Sequence, residues 1–461
     1  MLMRREIVFA HEDFDNLRRH LLRTESVEQA AFLVCGVSQT SKRLALLVRE
    51  VLPVPATGFL AQESLRLSIA PEFTNRILKR CRAERRAVVL CHSHPFSTSA
   101  AHYSWTDDEG ERILFDSFHQ RVPGLPHASL LFTQSSLTGR FWSKEGELHP
   151  VDFVRIVGEH VQILDPKAES AERKTKRPSP EHSRQVLFVG EQGQWAIRSA
   201  RVFIIGVGGT GSVVFEMLLR LGVEEITIID PDKVEASNLS RILGSVRRDI
   251  GRPKVEALSE WASEVNPNVR VRSVIGSITD QTTALELRDA DFIFCCTDNH
   301  WSRAVLNQLS YQYLVPVIDM GVQLVVESGR LTHAAGKVVR LGPGFPCLWC
   351  YGDITSERVM EENLPPADRA RLAREGYVRG LDVPNPSVVT FNTSVSSAAV
   401  TEFLKAITRT PGFEPAVVRL NFDFLAGNVR RATADRAPNC VCAETAFKAL
   451  GDLERLPVAT K

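Results

Sequence analysis

Three groups of residues have types and spacings suited to chemistry. The first is Gly206-Val-Gly208-Gly209-Thr-Gly211, which follows the apolar run RVFII and leads into SVVFEMLLRLG. Glycines there let the backbone approach a polyphosphate, and a helix starting at the loop offers N–H donors and the positive end of its dipole. Asp230 closes the next apolar run, EEITII, where a carboxylate can accept from ribose hydroxyls. So far any dinucleotide-binding protein would serve. Arg241, Lys254 and Asp298 narrow the choice. Hydride transfer has no use for them, whereas adenylyl transfer needs cations that neutralise a triphosphate and a carboxylate that holds the bridging magnesium.

The second group is Cys91-His92-Ser93-His94-Pro95, followed by Ser104-Trp-Thr-Asp107. Histidines at i and i+2 of an extended segment point to one side, as paired metal ligands must. A carboxylate returned by the following loop makes three protein ligands and leaves a coordination position for water, the pattern of a catalytic zinc. Asp107 fits the register better than Asp108. His102, in the intervening loop, reads as a solvated side chain. The third group is Cys347-Leu-Trp-Cys350 with Cys440-Val-Cys442, four thiolates at knuckle-like spacing, suited to a closed structural zinc site. Cys35, Cys81, Cys91, Cys295 and Cys296 fall in apolar surroundings and read as core.

These groups need scaffolds to hold them. RVFIIGVGG, EEITIID and DADFIFCCTDN read as strands, with a helix between the first two, which is the pattern of a parallel sheet covered by helices. Upstream, VEQAAFLVCG, RLALLVREVLPV, AVVLCHSH, HASLLFTQ and TGRFWSKEG read as strands, and PEFTNRILKRCRAERR has helical spacing. Between these regions DPKAESAERKTKRPSPEH is charged, proline-rich and poor in apolar residues, the composition of a linker. The expected organisation is therefore α/β throughout: a first domain over 1–164, a linker over 165–182 and a Rossmann-like domain over 183–461.

Composition bounds the function classes. The 461 residues are 44% hydrophobic and 24% charged, with a net charge of +1 that gives no global attraction to nucleic acid or anionic membranes. No apolar run approaches a bilayer span, and charges interrupt the opening MLMRREIVFAHEDF too early for an export signal. Nine cysteines, four of them in close pairs, suit metal binding in a reducing compartment. A cytoplasmic protein is expected.

Two family resemblances follow. The loop, Asp230, Asn238, Arg241, Lys254 and Asp298 together resemble the ThiF-type and ubiquitin-activating-enzyme family. The likeness implies that Gly206, Gly208, Gly209 and Gly211 cradle the phosphates of ATP and that Asp230 takes the ribose. It further implies that Asn238, Arg241 and Lys254 contact the triphosphate and that Asp298 positions Mg2+. Arg184 resembles the arginine that reaches a neighbouring subunit's nucleotide, which implies a homodimer. Many members carry a nucleophilic cysteine after the first zinc pair; here the stretch from Tyr351 to Val400 has none, so no enzyme-bound thioester is expected.

The H-x-H-P … S-x-x-D pattern resembles the JAB/JAMM metalloproteases, whose fold is cytidine-deaminase-like, although the loop from His94 to Asp107 is longer than theirs. That likeness implies Glu28 (or the nearby Glu25) as general base towards water polarised by a catalytic Zn2+, with Ser104 helping the oxyanion. Together the chain looks like the JAB–activating-enzyme fusions of bacterial ubiquitin-like conjugation systems. Such a protein would adenylate the C-terminus of a ubiquitin-like protein, mature or remove it, and pass it to a separate conjugating-enzyme-like partner. Trimming and activation of a sulfur-carrier protein is the alternative.

Overall fold

The computed structural model describes residues 3–459, apart from 25, 64–65, 167–179, 366, 370, 372–385, 414–418 and 444–446. Glu25, most of the expected linker and part of the stretch after the first cysteine pair therefore lie outside the described residues. The chain divides into two compact units: Met1–Lys174 with Gln312–Leu314 and Lys448–Arg455, and Thr175–Tyr311 with Val315–Phe447 and Leu456–Lys461. No helix among the described residues is long and apolar enough to cross a membrane.

The first unit contains β1 (Arg4–Ala10), β2 (Ala30–Gln39), β3 (Arg43–Pro53), β4 (Phe59–Glu63), β5 (Arg66–Ile69) and β6 (Ala87–Ser93). β7 (His127–Phe132), β8 (Leu137–Trp142), β9 (Leu148–Pro150), β10 (Phe153–Val157) and β11 (Val161–Leu164) follow. Nine of them form one mixed sheet in the order β11-β10-β1-β3-β2-β6-β7-β8-β9, and β4 and β5 pair separately. The central strands are buried on both faces, which is why β2 reads as a continuous apolar run. Side chains alternate between two cores. Ala31, Leu33, Cys35, Val89 and Cys91 join Phe14, Leu17 and Leu21 of α1 (His11–Leu21). Ala30, Phe32, Val34, Val88 and Leu90 join Ile77 and Leu78 of α2 (Pro71–Glu84) and Phe115 and Phe118 of α3 (Trp105–Arg121). His92 shares the parity of Val88 and Leu90, so it faces the side on which α3 lies.

A segment remote in sequence completes this unit. Gly451 bridges Val37 in parallel, the Asp452 amide donates to the Val37 carbonyl at 2.7 Å, and Lys448 Nζ lies 2.7 Å from Asp13 Oδ2. A Cβ on Gly36 would stand 2.1 Å from the Ala449 carbonyl oxygen, so only glycine admits this approach. Lys448–Arg455 thus belongs with the first unit, although it falls within the 183–461 range expected for the second domain.

The second unit is built on an eight-stranded sheet. Its strands are β12 (Arg201–Ile205), β13 (Glu225–Ile229), β14 (Arg270–Val274), β15 (Phe292–Cys295), β16 (Val317–Glu327), β17 (Arg330–Leu341), β18 (Arg419–Asp423) and β19 (Asn428–Ala432). The order is β14-β13-β12-β15-β16-β17-β18-β19, parallel through β16 and antiparallel beyond. The helices are α4 (Ser183–Ser199), α5 (Gly211–Leu221), α6 (Lys254–Val265), α7 (Gln281–Glu286), α8 (His300–Gln312), α9 (Ser356–Asn363) and α10 (Val389–Thr408). Chain order reverses between β12 and β15, the switch point where open parallel sheets bind ligands. Register makes this edge level: Ile205 pairs with Ile229 and with Cys295, and Cys295 pairs with Asp319. Gly206, Asp230 and Cys296 therefore leave the sheet together.

Candidate functional site

At the switch point the glycine loop folds back on itself. Gly206 takes φ +84°, and a Cβ on Gly211 would lie 1.9 Å from the Gly206 carbonyl oxygen, so the turn closes only without side chains there. Gly209 backs onto Asn392 of α10, whose Nδ2 stands 2.3 Å from where a Cβ would sit. Gly208 faces open space. Ser396 Oγ donates to the Thr210 carbonyl at 3.0 Å, fixing the last residue before α5. The loop is held from below by α10 and leaves its upper side clear.

Asp230 is buried and accepts from the Val207 amide (2.8 Å) and the Asp232 amide (2.9 Å). Burial raises its carboxyl pKa, and the charge of Lys254 opposes that rise. It thus shapes the loop as well as ending β13, and each oxygen keeps acceptor capacity for a hydroxyl. Lys254 Nζ lies 2.7 Å from Asp232 Oδ2 and 3.6 Å from Asp230 Oδ1. Asn238, also buried, accepts from the Glu235 amide at 3.2 Å and closes the turn that carries Arg241. Arg241 donates through Nη1 to the Ser237 carbonyl at 2.7 Å, and its Cδ lies 3.4 Å from the Cβ position of Gly209. Asp298 is exposed in the turn after β15. These residues converge on one edge of the sheet. Arg184 is exposed in the first turn of α4 and bonds to none of them.

The four thiols of the paired cysteines come together. Sγ separations are 3.8 Å for Cys347–Cys350, 3.2 Å for Cys347–Cys440 and 3.5 Å for Cys350–Cys442. A tetrahedral zinc with ordinary Zn–S bonds spaces its sulfurs by about 3.8 Å. Mutual proximity pulls the pKa of the Cys347 thiol down and pushes that of Cys442 up. Tyr311 and Leu348 lie buried around them. The donor set fits a structural zinc.

In the first unit, His92, His94 and Asp107 offer ligand atoms all within 4.8 Å of one another. Their placement is local chemistry. β6 ends at Ser93, which delivers both imidazoles to the face where α3 begins. Ser104 is the N-cap of α3: the Asp107 amide donates to its Oγ (3.2 Å), and its own amide and hydroxyl each donate to Asp107 Oδ2 at 2.7 Å. The S-x-x-D spacing is thus a capping box that fixes the carboxylate, and the Ser104 hydroxyl is engaged with Asp107. Asp107 Oδ1 lies 3.2 Å from His92 Nε2 and Oδ2 lies 3.4 Å from His94 Nε2. Buried His92 Nε2 nevertheless has no aligned hydrogen-bond partner among the described residues, an orphaned ring nitrogen whose lone pair a metal would satisfy when the nitrogen is unprotonated. Glu28 Oε1 lies 3.5 Å from His94 Nε2. Its burial raises the carboxyl pKa, and the two imidazoles oppose the rise. Two nitrogens, one oxygen and an adjacent carboxylate fit a catalytic-type zinc. Asp108 is drawn away by Arg140 at 2.5 Å, and His102 is exposed.

Sequence reasoning missed Asn392 and Ser396 beneath the loop, and a buried ion chain through Arg303 and Asp319. The one available signal was an aspartate inside the apolar run VPVIDMGV. Cys35, Cys91, Cys295 and Cys296 are all pushed up by burial, as inert core thiols are.

Comparison with known proteins fixes the class. Residues 182–443, more than half of the chain, match the ThiF family, and the chain belongs to that family. It is 30% identical over 181 residues to the molybdopterin-synthase adenylyltransferase of Escherichia coli, covering 39% of this chain and 70% of that one. It is 26% identical over 275 residues to the sulfur carrier protein adenylyltransferase of Thermus thermophilus, covering 59% and 93% respectively. Identity to the SAMP-activating enzyme E1 of Haloferax volcanii is 29% over 171 residues, 37% of this chain and 60% of that protein.

Proposed function

We propose that the second unit adenylates the C-terminal carboxylate of a ubiquitin-like protein and that the first unit is a zinc peptidase acting on the same protein tail. The observation that carries the first half is the convergence of the Gly206–Gly211 loop, Asp230, Arg241, Lys254 and Asp298 on one level sheet edge, in a chain of the ThiF family. In this reading Gly206, Gly208, Gly209 and Gly211 take the phosphates and Asp230 the ribose. Asn238, Arg241 and Lys254 neutralise the triphosphate, and Asp298 takes Mg2+. The carboxylate attacks the α-phosphorus, a P–O bond forms, the bond to the bridging oxygen breaks, and pyrophosphate leaves with the electron pair. Positioning and charge stabilisation are all the protein supplies.

For the first unit, His92, His94 and Asp107 would hold zinc, which when bound polarises water and the scissile carbonyl. Glu28, raised by burial, takes the proton and returns it to the leaving amine. Ser104 keeps Asp107 aimed. The two activities would mature or remove a modifier and charge it, in a homodimer using Arg184 across the subunits. The stretch Tyr351–Val400 contains no cysteine, so the acyl group would pass to a separate conjugating-enzyme-like protein.

A second reading is favoured by the relatives named for sulfur carriers: trimming and adenylation of a sulfur-carrier protein for thiocarboxylate formation. The full chain with ATP, a small ubiquitin-like protein and cell lysate separates the two. A covalent adduct between that protein and lysate proteins supports conjugation; thiocarboxylate without any adduct supports sulfur transfer. Pyrophosphate–ATP exchange that does not depend on the small protein, or that persists in Asp298→Ala, contradicts both.

A further inference from the structure

A line of buried charges runs through the second unit outside the nucleotide loop. Arg303, in the first turn of α8, donates through Nε to Asp319 Oδ1 at 3.0 Å and through Nη2 to the Met320 carbonyl at 3.4 Å. Asp319 is fully buried on β16, opposite Cys295. Its Oδ2 lies 3.3 Å from Lys337 Nζ on β17 but has no aligned hydrogen-bond partner among the described residues. Lys337 continues to Asp353 Oδ1 at 3.1 Å, and Asp353 Oδ2 accepts from Arg419 Nη1 at 2.6 Å. No side chain in the line is more than 17% exposed.

Three cations and two carboxylates leave this line one positive charge in excess. A buried charge without a counter-ion costs several kcal/mol, so the line has the charge to pair with one further anion. The Arg419 end is occupied: its Nε donates to Asn421 Oδ1 at 2.7 Å and its guanidinium lies 4.9 Å from the Tyr351 ring. Arg303 ends the line on the other side, and its Nη1 has no hydrogen-bond partner among the described residues. Gly321 lies against it: a Cβ there would stand 3.0 Å from Nη2, so the glycine makes room for the guanidinium. Arg303 also sits one helical turn beyond Asp298, in a helix whose Ser302 amide is capped by Asn299 Oδ1 at 2.7 Å. It is therefore at the same sheet edge as the nucleotide loop.

We propose that Arg303 receives the terminal carboxylate of the protein substrate, and that Asp319, backed by Lys337 and Asp353, is the positioning residue that aims it. This rests on the adenylation reading. A carboxylate approaching a triphosphate is repelled by it, and a cation on the far side offsets that repulsion while leaving one oxygen free to attack. Arginine suits the task because its planar fork pairs with a carboxylate and never loses its proton. The arginine keeps all its protons throughout; the electron pair that forms the new P–O bond comes from the carboxylate, and pyrophosphate carries away the pair of the bond that breaks.

The test uses the full chain and a synthetic peptide ending in Gly-Gly, as free acid and as C-terminal amide, with pyrophosphate–ATP exchange as the rate and a fluorescent ATP analogue for nucleotide binding. The wild type should exchange with the acid and not the amide. Arg303→Gln should raise the KM for the acid by about tenfold or more, the usual consequence of removing a charged hydrogen bond, with nucleotide affinity within about twofold. Asp319→Asn should raise the same KM with a smaller change in kcat, a split that general loosening of the fold would not give. Arg303→Lys keeps the buried charge and decides the matter if the glutamine variant loses nucleotide binding: its KM should still rise. An unchanged KM in Arg303→Lys and Asp319→Asn overturns the assignment while leaving adenylation intact; equal use of the amide, which has no carboxylate to attack phosphorus, overturns both. No exchange by the wild type overturns both.

Discussion

The two clusters of ligand-type side chains are built on opposite plans. His92, His94 and Asp107 come from one strand end and one helix N-terminus, and they include an orphaned nitrogen with a carboxylate 3.5 Å from its neighbour. Cys347, Cys350, Cys440 and Cys442 join segments 93 residues apart, all four donors face one another, and Tyr311, Trp349 and Val441 pack around them. Three mixed donors leave a coordination position and supply a proton acceptor next to it; four thiolates leave nothing to coordinate and close a long loop. Donor number, donor type and the neighbouring acid thus separate a place that handles a reactant from one that holds the chain.

Substitutions should break that contrast cleanly. In the intact chain, His92→Ala should lower metal-dependent hydrolysis of an extended Gly-Gly peptide by at least about 1000-fold, with exchange activity and the unfolding midpoint of the second unit unchanged. Retained hydrolysis would end the catalytic reading. Cys347→Ser should do the reverse. Zinc content should fall by one equivalent and the second unit should lose several kcal/mol in denaturant unfolding, while hydrolysis persists.

The first unit should also answer to pH through a group away from the His92, His94 and Asp107 cluster. His127 is buried, accepts from the Val88 amide at 3.1 Å through Nδ1 and donates through Nε2 to the Val122 carbonyl at 3.1 Å. Burial pushes its pKa down to about 4 from the usual 6.5, despite those backbone contacts. Between these values the unfolded chain binds the extra proton, so stability falls as pH drops from 6.5 towards 4 and is flat below. The expected loss is roughly 3 kcal/mol, and His127→Gln should abolish this dependence. An unaltered slope in the variant would contradict it. Smaller still is Gly36→Val, whose side chain meets the Ala449 carbonyl. It should cost the first unit about 1–3 kcal/mol and leave the second unit's transition in place; a shift of the second transition would show that the segment Lys448–Arg455 serves the wrong unit here.

Much of both sites was legible in the sequence because short-range rules govern them. The glycine loop is a strand–turn–helix pattern, the S-x-x-D register is a capping box, and the histidine pair follows from strand parity. The clustering of the cysteine pairs could be read because close Cys spacings suit a shared site. What stayed hidden depends on contacts between distant segments. Arg303, Asp319, Lys337, Asp353 and Arg419 lie on α8, β16, β17, the turn after Cys350 and β18, and no local period links them. The return of Lys448–Arg455 to β2 is likewise a tertiary fact, signalled only by a glycine at position 36. Arg184 stands exposed on α4 and bonds to none of the loop residues; its proposed partner would lie in a second subunit.

Attack of a protein's C-terminal carboxylate on the α-phosphorus of ATP can be followed by isotope. The full chain is incubated with a small ubiquitin-like protein ending in Gly-Gly and with ATP labelled at either the α or the γ phosphate, quenched in acid, and the small protein is recovered. The expected result is label on the protein from α-labelled ATP only, lost in Asp298→Ala. Label carried from the γ position, or none from either, would contradict it.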